Sequence, residues 1–167
     1  YISVNQSLEH AGANLDTQVE ISWIDSRKLE GQCAIDILSE FDGIIVPGAF
    51  GEGGSEGVIE AIRYAREHEV PYLGLCYGMQ MAVVEYARNL VGLKDANSAE
   101  NDPDSPHAVI DIQFSQREVI EESRYGGTMR LGGYVAALRR DSRVLALYEQ
   151  TGRLEEDAWR IARLHQN

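Results

Sequence analysis

Residues 73–80 read Leu-Gly-Leu-Cys-Tyr-Gly-Met-Gln, and no other stretch limits the possible folds of this chain so sharply. The apolar run Pro71-Tyr72-Leu73-Gly74-Leu75 predicts a short strand. Beyond it, Met79, Val83, Tyr86 and Leu90 recur at helical spacing and predict one apolar face of a helix. Between strand and helix, Gly74 and Gly78 flank Cys76 in the pattern Gly-x-Cys-x-Gly. A strand that enters a helix through so tight a turn strains the residue at its apex, and side chains at the flanking positions would strike neighbouring elements. In an α/β sheet such an elbow lies at the carboxyl end of a strand, where these folds place their ligands. Cys76 is therefore expected to act as a nucleophile. The helix amino end favours its thiolate and offers N–H groups to an oxyanion. Cys33 has none of this context and reads as structural.

The remainder of the chain supports an α/β fold with a mostly parallel central sheet and helices on both faces. Residues 2–12 read as a helix stopped by a glycine, 18–24 as an alternating strand and 34–41 as a short helix. Gly43 to Val46 is a compact apolar strand closed by Pro47-Gly48, and Val58, Ile62 and Ala65 place a helix over 56–68. Residues 94–107 are polar, with two prolines, and predict a long functional connection. Strands are expected over 109–114 and 129–138, and a helix over 154–164. All 167 residues read as a single domain.

Fifteen basic against 27 acidic residues give a net charge of −12, which argues against nucleic acid and anionic membranes as principal partners. The two cysteines have no metal-ligand spacing and are too few for a disulfide framework, so no metal is expected and a reducing cytoplasm is the expected location. No apolar run reaches the roughly 18 to 20 residues of a membrane span. The opening residues lack the features of a signal peptide and read as the start of an excised domain or of an ordered fragment. After the Ile44–Val46 strand, Pro47-Gly48-Ala49-Phe50-Gly51 ends on the same sheet edge as the elbow. Backbone N–H groups of Gly48 and Ala49 could there complete an oxyanion hole.

These residues resemble a known family. The elbow Gly-Leu-Cys-Tyr-Gly-Met-Gln is similar to the active-site turn of class I glutamine amidotransferases, which hydrolyse glutamine with a Cys-His-Glu triad on a flavodoxin-like fold. The glycine loop with its following helix, residues 71–100 and the Gly126–Gly132 block (Gly-Gly-Thr-Met-Arg-Leu-Gly) resemble the glutaminase domain of the CTP synthases. The resemblance implies that Cys76 forms a glutamyl thioester, with Gly48 and Ala49 along the substrate and the Tyr77 N–H in the oxyanion hole. It also implies that Phe50 packs on the glutamine and that Gly78, Met79 and Gln80 line the substrate-contacting turn. Glu100 would receive the α-ammonium. L-Glutamine is the implied substrate, and no cofactor is expected in this domain. ATP and magnesium would serve a synthetase domain of the same chain that aminates UTP to CTP. A homo-oligomer is implied at full length.

The chain departs from the family at several places. Tyr77 stands where Leu is usual and Ala49 where Gly is usual; the Tyr77 form of the elbow is closer to that of GMP synthases. The family's basic block near the end has only an echo at residues 163–167, and no H-P-E motif occurs in the 167 residues. His10, His68, His107 and His165 lack that context, so these residues alone are expected to hydrolyse glutamine weakly. Two other readings stay open. One is a paralogue whose altered glutaminase serves as a binding or regulatory module. The other is a cysteine hydrolase of the related peptidase and chaperone group.

Overall fold

The computed structural model describes residues 1–31, 33–49, 53–112, 134–135, 137–150 and 163–164. They fall into two compact units, Tyr1–Ile112 and Gln113–Asn167.

The first unit is built around one long helix. Helix α3 (Ser55–Glu67) buries Val58, Ile59 and Ile62 in one cluster and Ala61 and Tyr64 in another. The first cluster is completed by Tyr77, Met81 and Val84 of helix α4 (Tyr77–Tyr86). The second takes Leu29, Ala34 and Leu38 from a 3₁₀ turn (Ser26–Leu29) and from helix α2 (Cys33–Leu38). Asp25 starts the 3₁₀ turn by accepting from the Arg27 N–H, and the Arg27 guanidinium holds the Asp25 carboxyl down to about 2.

Strands β1 (Ile44–Val46) and β2 (Tyr72–Gly74) pair in parallel, Ile45 opposite Leu73. A crossover through α3 joins them, as parallel pairing requires. Strands β3 (Ala96–Ser98) and β4 (His107–Ile110) form a second parallel pair, irregular between Asn97 and Ser98. In the second unit, β5 (Tyr134–Val135) and β6 (Arg163–Leu164) pair antiparallel, and helix α5 covers Arg143–Gln150. The α/β class and its mostly parallel pairing are as the sequence predicts, although the described strands form three two-stranded sheets.

Several expected elements differ. Gly12 does not stop the first helix; α1 runs Ile2–Asn14, and the Leu15 N–H closes it on Ala11 and Gly12. Residues 18–24 alternate like a strand but have no ladder partner among the described residues, and alternation without pairing does not make a strand. The polar stretch 94–107 is not all loop, since it contains β3 and the start of β4. Its polar Ser98 is buried as a hydrogen-bond hub. The strand expected over 109–114 begins at His107 and ends at Ile110, and Gln113 and Phe114 lie outside the described residues. Of 129–138, only Tyr134–Val135 is described as strand; 129–133 and 136 lie outside. The helix expected over 154–164 is contradicted at Arg163–Leu164, which pair as β6, and 154–162 lie outside the described residues.

The most instructive correction concerns α4. Met79, Val83 and Tyr86 of α4, and Leu90 in the π-helical turn after it (Ala87–Val91), are all exposed. The inward side carries Gly78, Met81, Val84 and Glu85. The elbow sets this rotation: a methyl group on Gly78 would lie 2.3 Å from the Val46 carbonyl oxygen, so Gly78 must face β1. Met81, Val84 and Glu85 follow it inward at i+3 and i+4 spacing.

Candidate active site

The junction of β2 and α4 is held from both sides. The Leu75 N–H donates to the Val46 carbonyl (2.9 Å), and the Gly78 N–H donates to the Leu75 carbonyl (3.1 Å). The Tyr72 hydroxyl donates to the Gly78 carbonyl at 2.8 Å; burial pushes this phenol well above its ordinary pKa. Cys76 at the apex has φ 54° and ψ −104°. A non-glycine residue with such angles is strained and is retained only where the surroundings fix it. A half-buried residue with these backbone angles between strand and helix is what a nucleophile elbow requires. Gly74 is needed for the same closeness, since a methyl group there would sit 2.6 Å from the Met79 nitrogen.

The glycine loop after β1 does reach this point. A methyl group on Gly48 would lie 3.6 Å from Cys76 Cβ and 3.9 Å from Sγ. The backbone at Gly48 thus borders the thiol, and the Tyr1 hydroxyl donates to the Gly48 carbonyl. Ala49 is exposed, and Phe50 lies outside the described residues. A cavity of about 290 Å³ is lined by Val46, Gly48, Ala49 and Tyr77 among others. Cys76 is not in its lining, so the cavity does not mark where a substrate meets the thiol.

Tyr77 and Gly78 are buried, Gln80 is half-buried and Met79 is exposed. Cys76 caps the amino end of α4, and its own carbonyl accepts from the Gln80 N–H at 3.1 Å. Glu100 is exposed on a well-fixed turn. Its N–H donates to Ser98 Oγ, while the N–H groups of Asn101 and Asp102 donate to the Ser98 carbonyl at 3.0 and 2.9 Å. The Asn101 amide reaches across to Tyr77 Oη (3.2 Å), so this turn is joined to the first turn of α4. Sequence reasoning missed Asn101; its only signal was its place beside Glu100 in a polar run.

The histidines have other surroundings. His68 caps α3, where its Nδ1 lies 3.0 Å from the Tyr64 carbonyl and its ring stacks on Tyr64. His10 and His107 are exposed on α1 and β4, and His165 lies outside the described residues. The Gly126–Gly132 block also lies outside them. Cys33 opens α2. Among the described residues no group of His, Cys, Asp and Glu could hold a metal ion.

A strained cysteine between a sheet edge and a helix amino end, bordered by a close glycine backbone, is the arrangement of a thiol acyl-transfer site. The family model for class-I glutamine amidotransferases matches residues 1–156. The chain belongs to that family. It is 55% identical over 148 residues to a CTP synthase of Carboxydothermus hydrogenoformans, covering 89% of this chain and 27% of the relative. It is 47% identical over 151 residues to the CTP synthase of Staphylococcus saprophyticus, covering 90% and 28%. The solved glutaminase domain of Trypanosoma brucei CTPS, with bound acivicin, superposes with a TM-score of 0.77 at 36% identity, covering 90% of this chain and 56% of that one. The chain thus spans little more than a quarter of the curated relatives it matches.

Proposed function

We propose that this chain is the glutaminase part of a CTP synthase, the part at which L-glutamine is hydrolysed to glutamate and ammonia in the full-length enzyme. In the full-length enzyme, a synthetase domain of the same chain uses the ammonia to aminate UTP, with ATP and magnesium acting there. The observation that carries this reading is the Cys76 elbow itself: φ 54° at the nucleophile position, with the Gly48 backbone bordering the thiol. The Cys76 thiolate attacks the side-chain carboxamide carbon, and a C–S bond forms. The developing oxyanion is received by N–H groups at Tyr77, Gly48 and Ala49. Collapse breaks the C–N bond; the departing nitrogen takes up the proton that the thiol gave up on forming the thiolate, and ammonia leaves a glutamyl thioester. Water then hydrolyses the thioester to glutamate and regenerates the thiol. Gly78, Met79 and Gln80 form the turn along which the substrate lies, and Phe50 packs on its aliphatic part. Glu100 pairs with the α-ammonium.

The intact elbow and its tethered turn favour a working glutaminase over a binding module. The same reading places the enzyme in the cytoplasm, as a homo-oligomer at full length that binds neither nucleic acid nor membrane. No helix among the described residues is long and apolar enough to cross a membrane.

Glu100→Gln tests the substrate assignment. The change is nearly isosteric, and the Glu100 side chain is exposed, so the turn held by Ser98 is expected to persist. A charge-assisted hydrogen bond contributes about 1.5–3 kcal/mol, so kcat/KM for glutamine is expected to fall about 10-fold to 100-fold. Amination driven by added ammonia should keep its rate. A parallel fall in both activities would make Glu100 structural, and no change in either would make it a solvated surface charge.

A further inference from the structure

Tyr77 follows the nucleophile directly, and its side chain has a connection that its backbone role does not require. The ring is buried with Val58, Ile62 and Met81. At its far end, Oη accepts from Asn101 Nδ2 at 3.2 Å, and the same nitrogen lies 3.6 Å from Met81 Sδ. Asn101 Oδ1 is buried with no hydrogen-bond partner among the described residues, so the amide nitrogen alone orients this side chain. A buried polar atom without a partner is costly and persists where the rest of its group is held in place. The bonds that Ser98 makes to Glu100, Asn101 and Asp102 are local and set only the shape of the turn. The Asn101–Tyr77 bond spans 24 residues and sets where the turn sits relative to the elbow.

We propose that the Tyr77 hydroxyl and the Asn101 carboxamide are positioning residues for glutamine, holding the Glu100 turn at a fixed distance from the nucleophile's helix. The proposal rests on the glutaminase reading above. Glu100 stands next to Asn101 in this turn, and its side chain is exposed while Asn101 reaches inward. A carboxylate that must meet an α-ammonium while the carboxamide meets Cys76 has to stand at one separation from that thiol. Loosening the turn weakens a contact made equally in ground state and transition state, which raises KM and leaves kcat in place.

The test uses the full-length enzyme, with Asn101→Leu, Tyr77→Phe and the double variant. Leucine fills the asparagine volume without a donor, and phenylalanine keeps the buried ring. For Asn101→Leu, KM for glutamine is expected to rise about 3-fold to 10-fold, the usual value of one neutral hydrogen bond, with kcat within about twofold. Its ammonia-driven rate should match the wild type. Tyr77→Phe should raise KM by a similar factor, and the double variant by no more than the larger single change, because both remove one interaction. Unchanged KM in both single variants overturns the proposal, as do losses that multiply in the double variant. So does an ammonia-driven rate that falls in parallel, which would mark a structural role. A wild-type enzyme that releases no ammonia from glutamine overturns the glutaminase reading itself, whereas an active wild type with unaffected variants overturns only the link.

Discussion

Cys76→Ala is expected to remove glutamine-dependent ammonia release, with a loss of at least about 10³-fold in kcat, because no covalent route to the thioester remains. Alanine occupies the same turn with the same Cβ, so the elbow bonds from Leu75, Gly78 and Tyr72 stay in place. The loss should therefore come from chemistry and not from unfolding. In the full-length enzyme, added ammonia supplies the synthetase reaction without the thiol, and that activity is the control. Retention of more than a few per cent of glutamine-dependent turnover by Cys76→Ala would mean another group attacks the carboxamide. Loss of the ammonia-driven reaction as well would mean the substitution disrupts the protein.

The second large effect concerns the ion pair beneath α4. Glu85 is 1% exposed and receives both Nε and Nη2 of Arg66, with Nη2 at 2.7 Å from Oε1. The Asn89 amide donates to the same oxygen at 3.0 Å. The side chain of Arg66 is 33% exposed and that of Glu85 only 2%. The two partners are therefore not equivalent. Arg66→Met leaves a buried carboxylate with one neutral donor, a loss expected to cost about 3–5 kcal/mol. Glu85→Met leaves a guanidinium that can turn into water, and should cost clearly less. The double variant should be more stable than Arg66→Met alone. Urea unfolding monitored by far-ultraviolet circular dichroism reads these differences as shifts in midpoint at constant slope. A midpoint lower for Glu85→Met than for Arg66→Met would contradict this ranking.

The elbow was legible because its requirements are local. Only glycine fits where Gly78 meets Val46 and Gly74 meets the α4 backbone, so the pattern in the chain reports the close approach directly. The helix after it was legible as a helix but not in its orientation. Met79, Val83, Tyr86 and Leu90 are the more apolar stripe, yet the backbone contact at Gly78 outweighs them and turns Glu85 inward to meet Arg66. Hydropathy does not record a partner 19 residues away. The same limit hid β3, whose Ser98 reads as loop but is buried by its bonds to the following turn. Helix α5 was missed although Ser142 carries its cap signal, with Oγ accepting from the Leu145 N–H at 3.2 Å. Conversely, residues 18–24 alternate convincingly, but strand identity depends on a neighbour that alternation cannot supply. In the candidate site, the Cys76 elbow and the Gly48 loop were legible by type and spacing, whereas Glu100 was singled out only by the resemblance to the family. Asn101 was not legible, because its significance lies wholly in reaching Tyr77 across the fold.

The central claim, that Cys76 is a nucleophile shaped for glutamine, is tested most directly by covalent mapping. The chain is treated with a glutamine-like chloroketone at low molar excess and digested, and adducts at its two cysteines, Cys33 and Cys76, are quantified by mass spectrometry with and without glutamine. The elbow at the α4 amino end should direct labelling to Cys76, well ahead of Cys33, and glutamine should slow it. Equal labelling of the two cysteines, labelling confined to Cys33, or a Cys76 adduct indifferent to glutamine would contradict the claim.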